Sequence, residues 1–192
     1  MELIFEEIQP EIEHSRWSKV VPIVEKDGVV TACLMGEIVN VEEYNELCYT
    51  LENTKAKEVR LIINNMGGQL SSMLSIIASM EKCACPVVGV LSGTVASAAT
   101  MIALQCDRLE IAQYTSWLTH TYSGGLAGKG NEIEAQYEFE KKYIPNIFKG
   151  IHKGFLTTTE INRVLKGKDM WMDKDEIEKR FAKMKKLKAE NE

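Results

Sequence analysis

Three residues, Ser97, His120 and Asp169, are of the types that together can run nucleophilic acyl chemistry, and each also has an ordinary structural reading. Ser97 lies in Gly93-Thr94-Val95-Ala96-Ser97-Ala98-Ala99, a run of small residues bridging a strand end and a helix start. A serine there is a common N-cap. It is also placed to be a nucleophile at a helix N-terminus, where backbone N–H groups and the helix dipole stabilise negative charge on an attacked carbonyl. The logic is that of a nucleophile elbow without the Gly-x-Ser-x-Gly signature, and the flanking alanines leave room for a bulky substrate. His120 ends Ser116-Trp117-Leu118-Thr119 and is followed by Ser123-Gly124-Gly125. Of the three histidines, His14 falls in an acidic stretch and His152 in a polar helix-to-loop stretch, so His120 alone sits at a strand end beside a glycine loop. It is either a satisfied structural histidine or the proton-exchanging group of a site. Asp169 immediately precedes an apolar stretch in Lys166-Gly167-Lys168-Asp169-Met170-Trp171-Met172. It is a turn or strand-start residue, or a carboxylate whose burial demands a partner, a histidine nitrogen being the natural one. Gly67-Gly68 is a tight turn or a place where bare backbone N–H groups face a pocket at the carboxyl end of a strand.

Metal chemistry is not expected. No second histidine or carboxylate stands at ligand spacing from His120, and Cys83-Ala84-Cys85 is a lone pair without partners. No cofactor is expected either.

The elements that must position these residues alternate between strand and helix. Val20 to Glu25 and Gly28 to Met35 are short β-branched runs separated by the turn signal Lys26-Asp27-Gly28. Tyr44, Leu47, Cys48 and Leu51 recur at helical spacing between Val41 and Lys55. Val59 to Asn65 reads as a strand ending at Gly67-Gly68, followed by a helix carrying Met73, Ile76, Ile77 and Met80. The unit repeats as a strand from Pro86 to Leu91, the connection Ser92-Gly93-Thr94 and a small-residue helix from about Ala96. Such alternation predicts right-handed crossovers and a largely parallel sheet covered on both faces. Two further strands are predicted near Arg108 to Ala112 and Trp117 to His120. A long helix then runs from about Asn131 to His152, its apolar stripe marked by Ile133, Tyr137, Tyr143, Ile147 and Ile151. Pro145 predicts a kink or a break in it. The last helix start is placed with Thr158 or Thr159 as N-cap and Glu160 in the first turn. Residues 179–192, with Lys179, Arg180, Lys183, Lys185, Lys186 and Lys188, read as a solvated, frayed terminus, with a docking tail for an acidic partner as the alternative.

The chain of 192 residues has room for one domain of ordinary size. Its 45% hydrophobic and 27% charged residues are those of a packed globular domain. A net charge of −5 disfavours a phosphate-gripping function, so no nucleic acid is expected as a partner. No apolar run approaches the roughly 20 residues of a membrane helix, and the start, with Glu2, Glu6, Glu7, Glu11 and Glu13 ahead of any basic residue, is unlike a signal peptide. A soluble, unexported, cytoplasmic protein with no membrane partner is expected. Its five cysteines (Cys33, Cys48, Cys83, Cys85, Cys106) are expected to be free buried thiols. Residues 1–19 are read as an acidic peripheral arm.

In combination these residues are familiar. The order Asn64-Asn65-Met66-Gly67-Gly68, Gly93-Thr94-Val95-Ala96-Ser97, Ser116-Trp117-Leu118-Thr119-His120 with Gly124-Gly125, and then Asp169, resembles the proteolytic subunit of the Clp proteases, the ClpP family of serine peptidases. The spacings fit as well: 29 residues from Gly68 to Ser97, 23 from Ser97 to His120 and 49 from His120 to Asp169. The resemblance runs from about Met35 to Asp169. It implies an α/β fold, the crotonase-like (ClpP-type) spiral of ββα units with a projecting handle helix, over a single peptidase domain, 1–192, with the handle at 131–152. It implies Ser97 as nucleophile, His120 as general base and then acid, and Asp169 as the group that orients His120. The backbone N–H groups of Gly68 and Ala98 match the oxyanion-hole positions, and Gly67, Gly124 and Gly125 the substrate-binding backbone. The implied reaction is peptide-bond hydrolysis through an acyl-enzyme, without cofactor or metal, inside a homo-oligomeric chamber that in relatives is usually two stacked heptamers.

The chain departs from the family pattern at Met66, where the family has proline; at Ala98-Ala99, where it has Met-Gly; and at Thr121-Tyr122, where it has Gln-Pro. Residues 1–30 do not match the family's axial loop, which argues against docking to an ATP-driven AAA+ unfoldase. Such a chain fits a specialised or viral member that processes one substrate, such as an assembly scaffold. Two other readings compete: a catalytically silent ring subunit, and a crotonase-fold acyl-CoA enzyme, against which the serine, histidine and aspartate set argues. The long amphipathic handle by itself calls for oligomerisation, because it would leave a large apolar patch in water.

Overall fold

Asp27 and Gly28, both with positive φ (55° and 76°), make the tight primed turn that suits the twist of two paired strands. They join β1 (Ile23–Lys26) to β2 (Val29–Ile38) as an antiparallel hairpin. The computed structural model describes residues 21–190, so the expected arm at 1–19 lies outside the described residues. A 3-10 turn over Val41–Tyr44 leads into α1 (Asn45–Asn53). Then come β3 (Glu58–Gly68), α2 (Leu70–Glu81), β4 (Val87–Ala96), α3 (Ala98–Ala103), β5 (Arg108–Ile111) and β6 (Ser116–Thr119). The chain closes with α4 (Gly130–His152), α5 (Thr158–Leu165), β7 (Met170–Met172) and α6 (Lys174–Ala189). The fold is α/β, as expected, with one central sheet and helices packed on it.

Seven strands form one sheet in the order β1-β2-β3-β4-β6-β7. β4 is a fork: Val88–Leu91 pair with β5 and Thr94–Ala96 pair with β6. The central pairs are parallel, as the strand–helix alternation predicts, and β1 and β7 add antiparallel edges. Period-2 alternation puts Val30, Ala32 and Leu34 of β2 in one layer with Val59, Leu61 and Ile63 of β3. Leu47, Leu51, Met73, Ile76 and Ile102 from the helices join the same core. Each fully buried aliphatic side chain there contributes about 1.5–3 kcal/mol. Truncating one such as Leu61 to alanine costs roughly 2–5 kcal/mol.

The other face departs from expectation. β3 alternates buried residues with half-buried and then exposed ones, and Met35, Met66 and Trp171 lie open to solvent, so among the described residues the second face of the sheet is covered only in part, as at Val88 of β4. Ser92-Gly93-Thr94 is not a connection but the middle of β4. Gly93 turns through φ +60° there, and the strand resumes because Thr94 N–H donates to Asn64 Oδ1 (3.1 Å) and Val95 pairs with Asn65. α3 accordingly starts at Ala98, two residues later than predicted.

α4 runs unbroken through Pro145. Proline's fixed φ is already helical, and the carbonyl it leaves unpaired belongs to Lys141, an exposed residue. The side chains that α4 buries are Ile144, Phe148 and His152, one residue round from the predicted stripe, with Ile147 and Ile151 half-buried. His152 is thus a core residue and not part of a polar stretch: its ring stacks on Phe148 at 4.0 Å and is fully buried. The N-cap of α5 is Thr157, one residue earlier than predicted, in a capping box with Glu160. The Lys-rich end is helical rather than frayed, because Ile177, Phe181 and Met184 at i, i+4 and i+7 form a buried stripe. All five cysteines are free thiols, yet only Cys106 is buried; the other four are half-buried.

Candidate functional site

Gly67 and Gly68 end β3 with φ of +89° and +144°, conformations that side chains rarely adopt. A Cβ on Gly67 would lie 2.5 Å from Ser97 Cβ and 2.7 Å from the Ala96 carbonyl oxygen; one on Gly68 would lie 2.0 Å from the Ile38 carbonyl oxygen. The pair is therefore glycine because two backbones meet there. Gly67 is buried against the serine and Gly68 is exposed at the strand end. Asn65 shapes this turn: its Oδ1 accepts the Gly67 N–H at 2.8 Å, while its Nδ2 is buried without a partner among the described residues. Sequence reasoning missed Asn65. The available signal was its phase, since Val59, Leu61, Ile63 and Asn65 alternate inward and an asparagine two residues before a glycine is an Asx-turn former.

Ser97 occupies the corner between β4 and α3 with φ 55° and ψ −127°. A non-glycine residue rarely sits there, and such strain, about 1–3 kcal/mol, persists only where surrounding structure enforces it. Three contacts enforce it. Ser97 N–H donates to the Leu118 carbonyl (2.9 Å), its own carbonyl accepts from Thr100 N–H (3.0 Å) and from the Thr100 hydroxyl, and Gly67 closes the remaining side. Ser97 stands at the N-cap position, but its hydroxyl makes no capping bond. The half-buried side chain has no hydrogen-bond partner among the described residues. The plain N-cap reading of this serine therefore fails.

His120 follows the last residue of β6, and Asp169 precedes the first of β7. These strands are antiparallel with Trp117 opposite Met172, Leu118 opposite Trp171 and Thr119 opposite Met170. One more step of that register sets His120 directly across from Asp169, on the face opposite buried Trp117 and Thr119. Those two pin the ribbon from below through a Trp117 Nε1–H donation to Thr119 Oγ1 at 2.8 Å. β6 also pairs with β4, with Ala96 opposite Leu118, so one step on Ser97 adjoins Thr119. The topology thus carries Ser97, His120 and Asp169 to neighbouring positions at one end of three adjacent strands. His120 is half-buried and Asp169 exposed, and among the described residues neither side chain has a hydrogen-bond partner.

The segment bearing Asp169 is bracketed by an ion-pair clasp. Arg180 of α6 donates from Nη2 to Glu160 Oε1 (2.9 Å), from Nη1 to Glu160 Oε2 (3.0 Å) and from Nε to Glu176 (2.6 Å). Arg180, foremost, holds the Glu160 carboxyl down to about 2, helped by the Thr157 backbone. The fork locks α5 to α6 across β7. Gly124 and Gly125 lie in the exposed connection between β6 and α4, with positive φ at neither and no atom within 4 Å of an added Cβ. Openness, not crowding, characterises them.

Chemically, this arrangement offers a hydroxyl on a strained corner, an imidazole on the adjoining strand and a carboxylate one strand further. Ala98, first residue of α3, carries one of the N–H groups that an α-helix cannot pair internally. No group of three His, Cys, Asp or Glu suited to a metal ion occurs among the described residues, and none of their helices is long and apolar enough to cross a membrane. The sequence matches the family model described as Clp protease over residues 14–180. That match spans all four segments of the site and every strand of the sheet, and the chain belongs to the Clp protease family.

Proposed function

We propose that this chain is a serine endopeptidase, one domain over residues 1–192, that cuts unfolded or scaffold polypeptides through a Ser97-His120-Asp169 triad inside a homo-oligomeric chamber in the cytoplasm. The observation that carries this reading is the Ser97 corner: a strained, non-capping serine sealed by a glycine that admits no side chain. His120 takes the proton from Ser97 Oγ as the oxygen attacks the scissile carbonyl carbon, and then gives it to the departing amine. The oxyanion formed in between is held by the N–H groups of Gly68 and Ala98. Water, deprotonated by His120, then hydrolyses the acyl-enzyme. Asp169 keeps the imidazole in the orientation and tautomer that this requires. Gly124 and Gly125 offer backbone groups to an extended substrate, while Gly67, its N–H held by Asn65, sets the turn that the substrate passes.

The chamber reading is supported by the handle. Tyr137, Phe139 and Tyr143 on the outer part of α4 are 51%, 60% and 40% exposed, and the Phe139 and Tyr143 rings stack at 4.8 Å. Three aromatic side chains in water on one projecting helix are a surface built to be covered, and handles meeting between two rings, in relatives usually heptamers, would cover it. A second reading, a silent ring subunit, draws on a different observation: His120 and Asp169 flank the last residue pair of β6 and β7 with no hydrogen bond between them.

A fluorophosphonate serine-hydrolase probe separates the two. The protein and its Ser97→Ala variant are incubated with the probe, sized by chromatography and assayed with a fluorogenic peptide. Labelling and cleavage that vanish in Ser97→Ala, with both proteins eluting as the same large species, are expected. A well-folded ring that never labels would sink the peptidase reading in favour of the silent subunit.

A further inference from the structure

The Cys83-Ala84-Cys85 pair takes no part in the site above, and the fold brings its two sulfurs together. Cys83 follows the last turn of α2, its N–H donating to the Met80 carbonyl (3.1 Å), and Cys85 lies two residues ahead of β4. The backbone bends at Ala84 and Cys85, turning both side chains to one side, where the sulfurs stand 3.7 Å apart. The side of the bend that leads into β4 is fixed as well. Pro86 carbonyl accepts from Val59 N–H (2.9 Å), and Val87 N–H donates to Asp107 Oδ2 (2.7 Å). Both thiols are half-buried and reach solvent, whereas Cys106 is fully buried and cannot.

We propose that Cys83 and Cys85 are a dithiol modification site, closed to an intramolecular disulfide by exchange with a low-molecular-weight disulfide such as glutathione disulfide. A disulfide needs the sulfurs at about 2.05 Å, so each side chain turns by less than an ångström. The exchange balances in two steps. The Cys83 thiolate attacks one sulfur of glutathione disulfide, which forms a Cys83–glutathione disulfide and releases one glutathione thiolate. Cys85 then attacks Cys83 Sγ, breaking that mixed disulfide and releasing the second glutathione. Two electrons pass to the glutathione pair, which leaves as two reduced molecules, and the two cysteine protons leave with them or to water. Burial, with the Cys83 hydrogen bond second, pushes the Cys85 thiol up to about 11, so closure quickens as the pH rises. Cys106, raised by burial to about 12, and the lone Cys33 and Cys48 provide internal controls.

The test is to equilibrate the full chain with glutathione disulfide at pH 8, alkylate the remaining thiols and read each cysteine by peptide mass spectrometry. A linkage that lowers the mass by two hydrogens, maps to Cys83 and Cys85 and outweighs glutathione adducts at either residue at least tenfold is expected. Cys83→Ser and, separately, Cys85→Ser should instead leave a stable glutathione adduct on the remaining cysteine. Glutathione persisting on Cys83 or Cys85 of the unsubstituted chain, or alkylation of both as complete as before oxidation, would overturn the proposal.

Discussion

The two halves of the candidate site are built in opposite ways. At the Ser97 corner everything is fixed by close contact: two positive-φ glycines, a strained serine, and backbone bonds to Leu118 and Thr100. Across the sheet, His120 and Asp169 share a register and nothing else, one half-buried, the other exposed, without a hydrogen bond. A nucleophile must be held at one angle, and that is paid for within the chain. The imidazole and carboxylate need only be brought opposite each other, and their final bond can be left to assembly or substrate, since catalytic hydrogen bonds are often loose before a complex forms. Substitutions on the two sides should therefore fail differently.

The largest effect is expected at the loose side. Asp169→Asn keeps the shape of the residue but replaces an anionic group that can only accept with a neutral amide that can also donate, so the His120 tautomer is no longer selected and kcat should fall by about 10⁴-fold, with elution on a sizing column unchanged. Because Asp169 is exposed, the melting temperature should hardly move. Turnover equal to that of the parent would dismiss Asp169 from its role.

The rigid side should fail through stability first. Gly67→Ala forces a Cβ into Ser97 Cβ and the Ala96 carbonyl at a φ of +89°, and a loss of about 3 kcal/mol is expected in urea unfolding. Whatever folds should label poorly at Ser97. Gly124→Ala is the matched control, with open space and no positive φ, and should stay within about 0.5 kcal/mol. If Gly67→Ala were as mild as its control, the corner would not be the tight joint its geometry describes.

Assembly should act on the loose half alone. Replacing Tyr137, Phe139 and Tyr143 together by serine removes the exposed aromatic side chains of the handle without touching the buried Ile144-Phe148-His152 stripe. The variant should elute as a smaller species, and fluorophosphonate labelling of Ser97 should slow by about tenfold, roughly 1.4 kcal/mol. An unchanged elution volume would take the handle out of the assembly.

Much of this was legible beforehand. β-branched runs and glycine punctuation located the strands as far as β6 but not the three-residue β7, and the family resemblance pointed to Ser97, His120 and Asp169, which the strand register places at one end of the sheet. What stayed hidden depended on partners distant in sequence. Gly93 reads as a loop residue until Asn64 holds the strand together across it. The lysines of α6 suggest a frayed end until Ile177, Phe181 and Met184 find the sheet. Asn65 is polar, so its place in the core phase of β3 leaves no mark in a hydrophobic pattern.

His152 is the plainest case, and it gives the smallest and most specific prediction. Ile144, Phe148 and His152 form an i, i+4, i+8 row, but a histidine is seldom counted as apolar, and the row is complete only if it is. Burial pushes its imidazole down to about 4, against a weaker upward pull from the Phe148 carbonyl that its Nδ1 meets at 2.9 Å. Its Nε2 has no partner among the described residues. The unfolded chain takes up a proton at this residue near pH 6.5, whereas the folded protein does not until about pH 4. Stability is therefore complete above pH 6.5 and drains away as the pH falls through that window, by about 1.3 kcal/mol between pH 7.5 and 5.5. In His152→Phe the ring still stacks on Phe148 but no longer titrates. Paired urea titrations at the two pH values should show the parent losing about that much more than the variant. Equal losses would mean that His152 is protonated in the folded state and that water reaches the base of the handle.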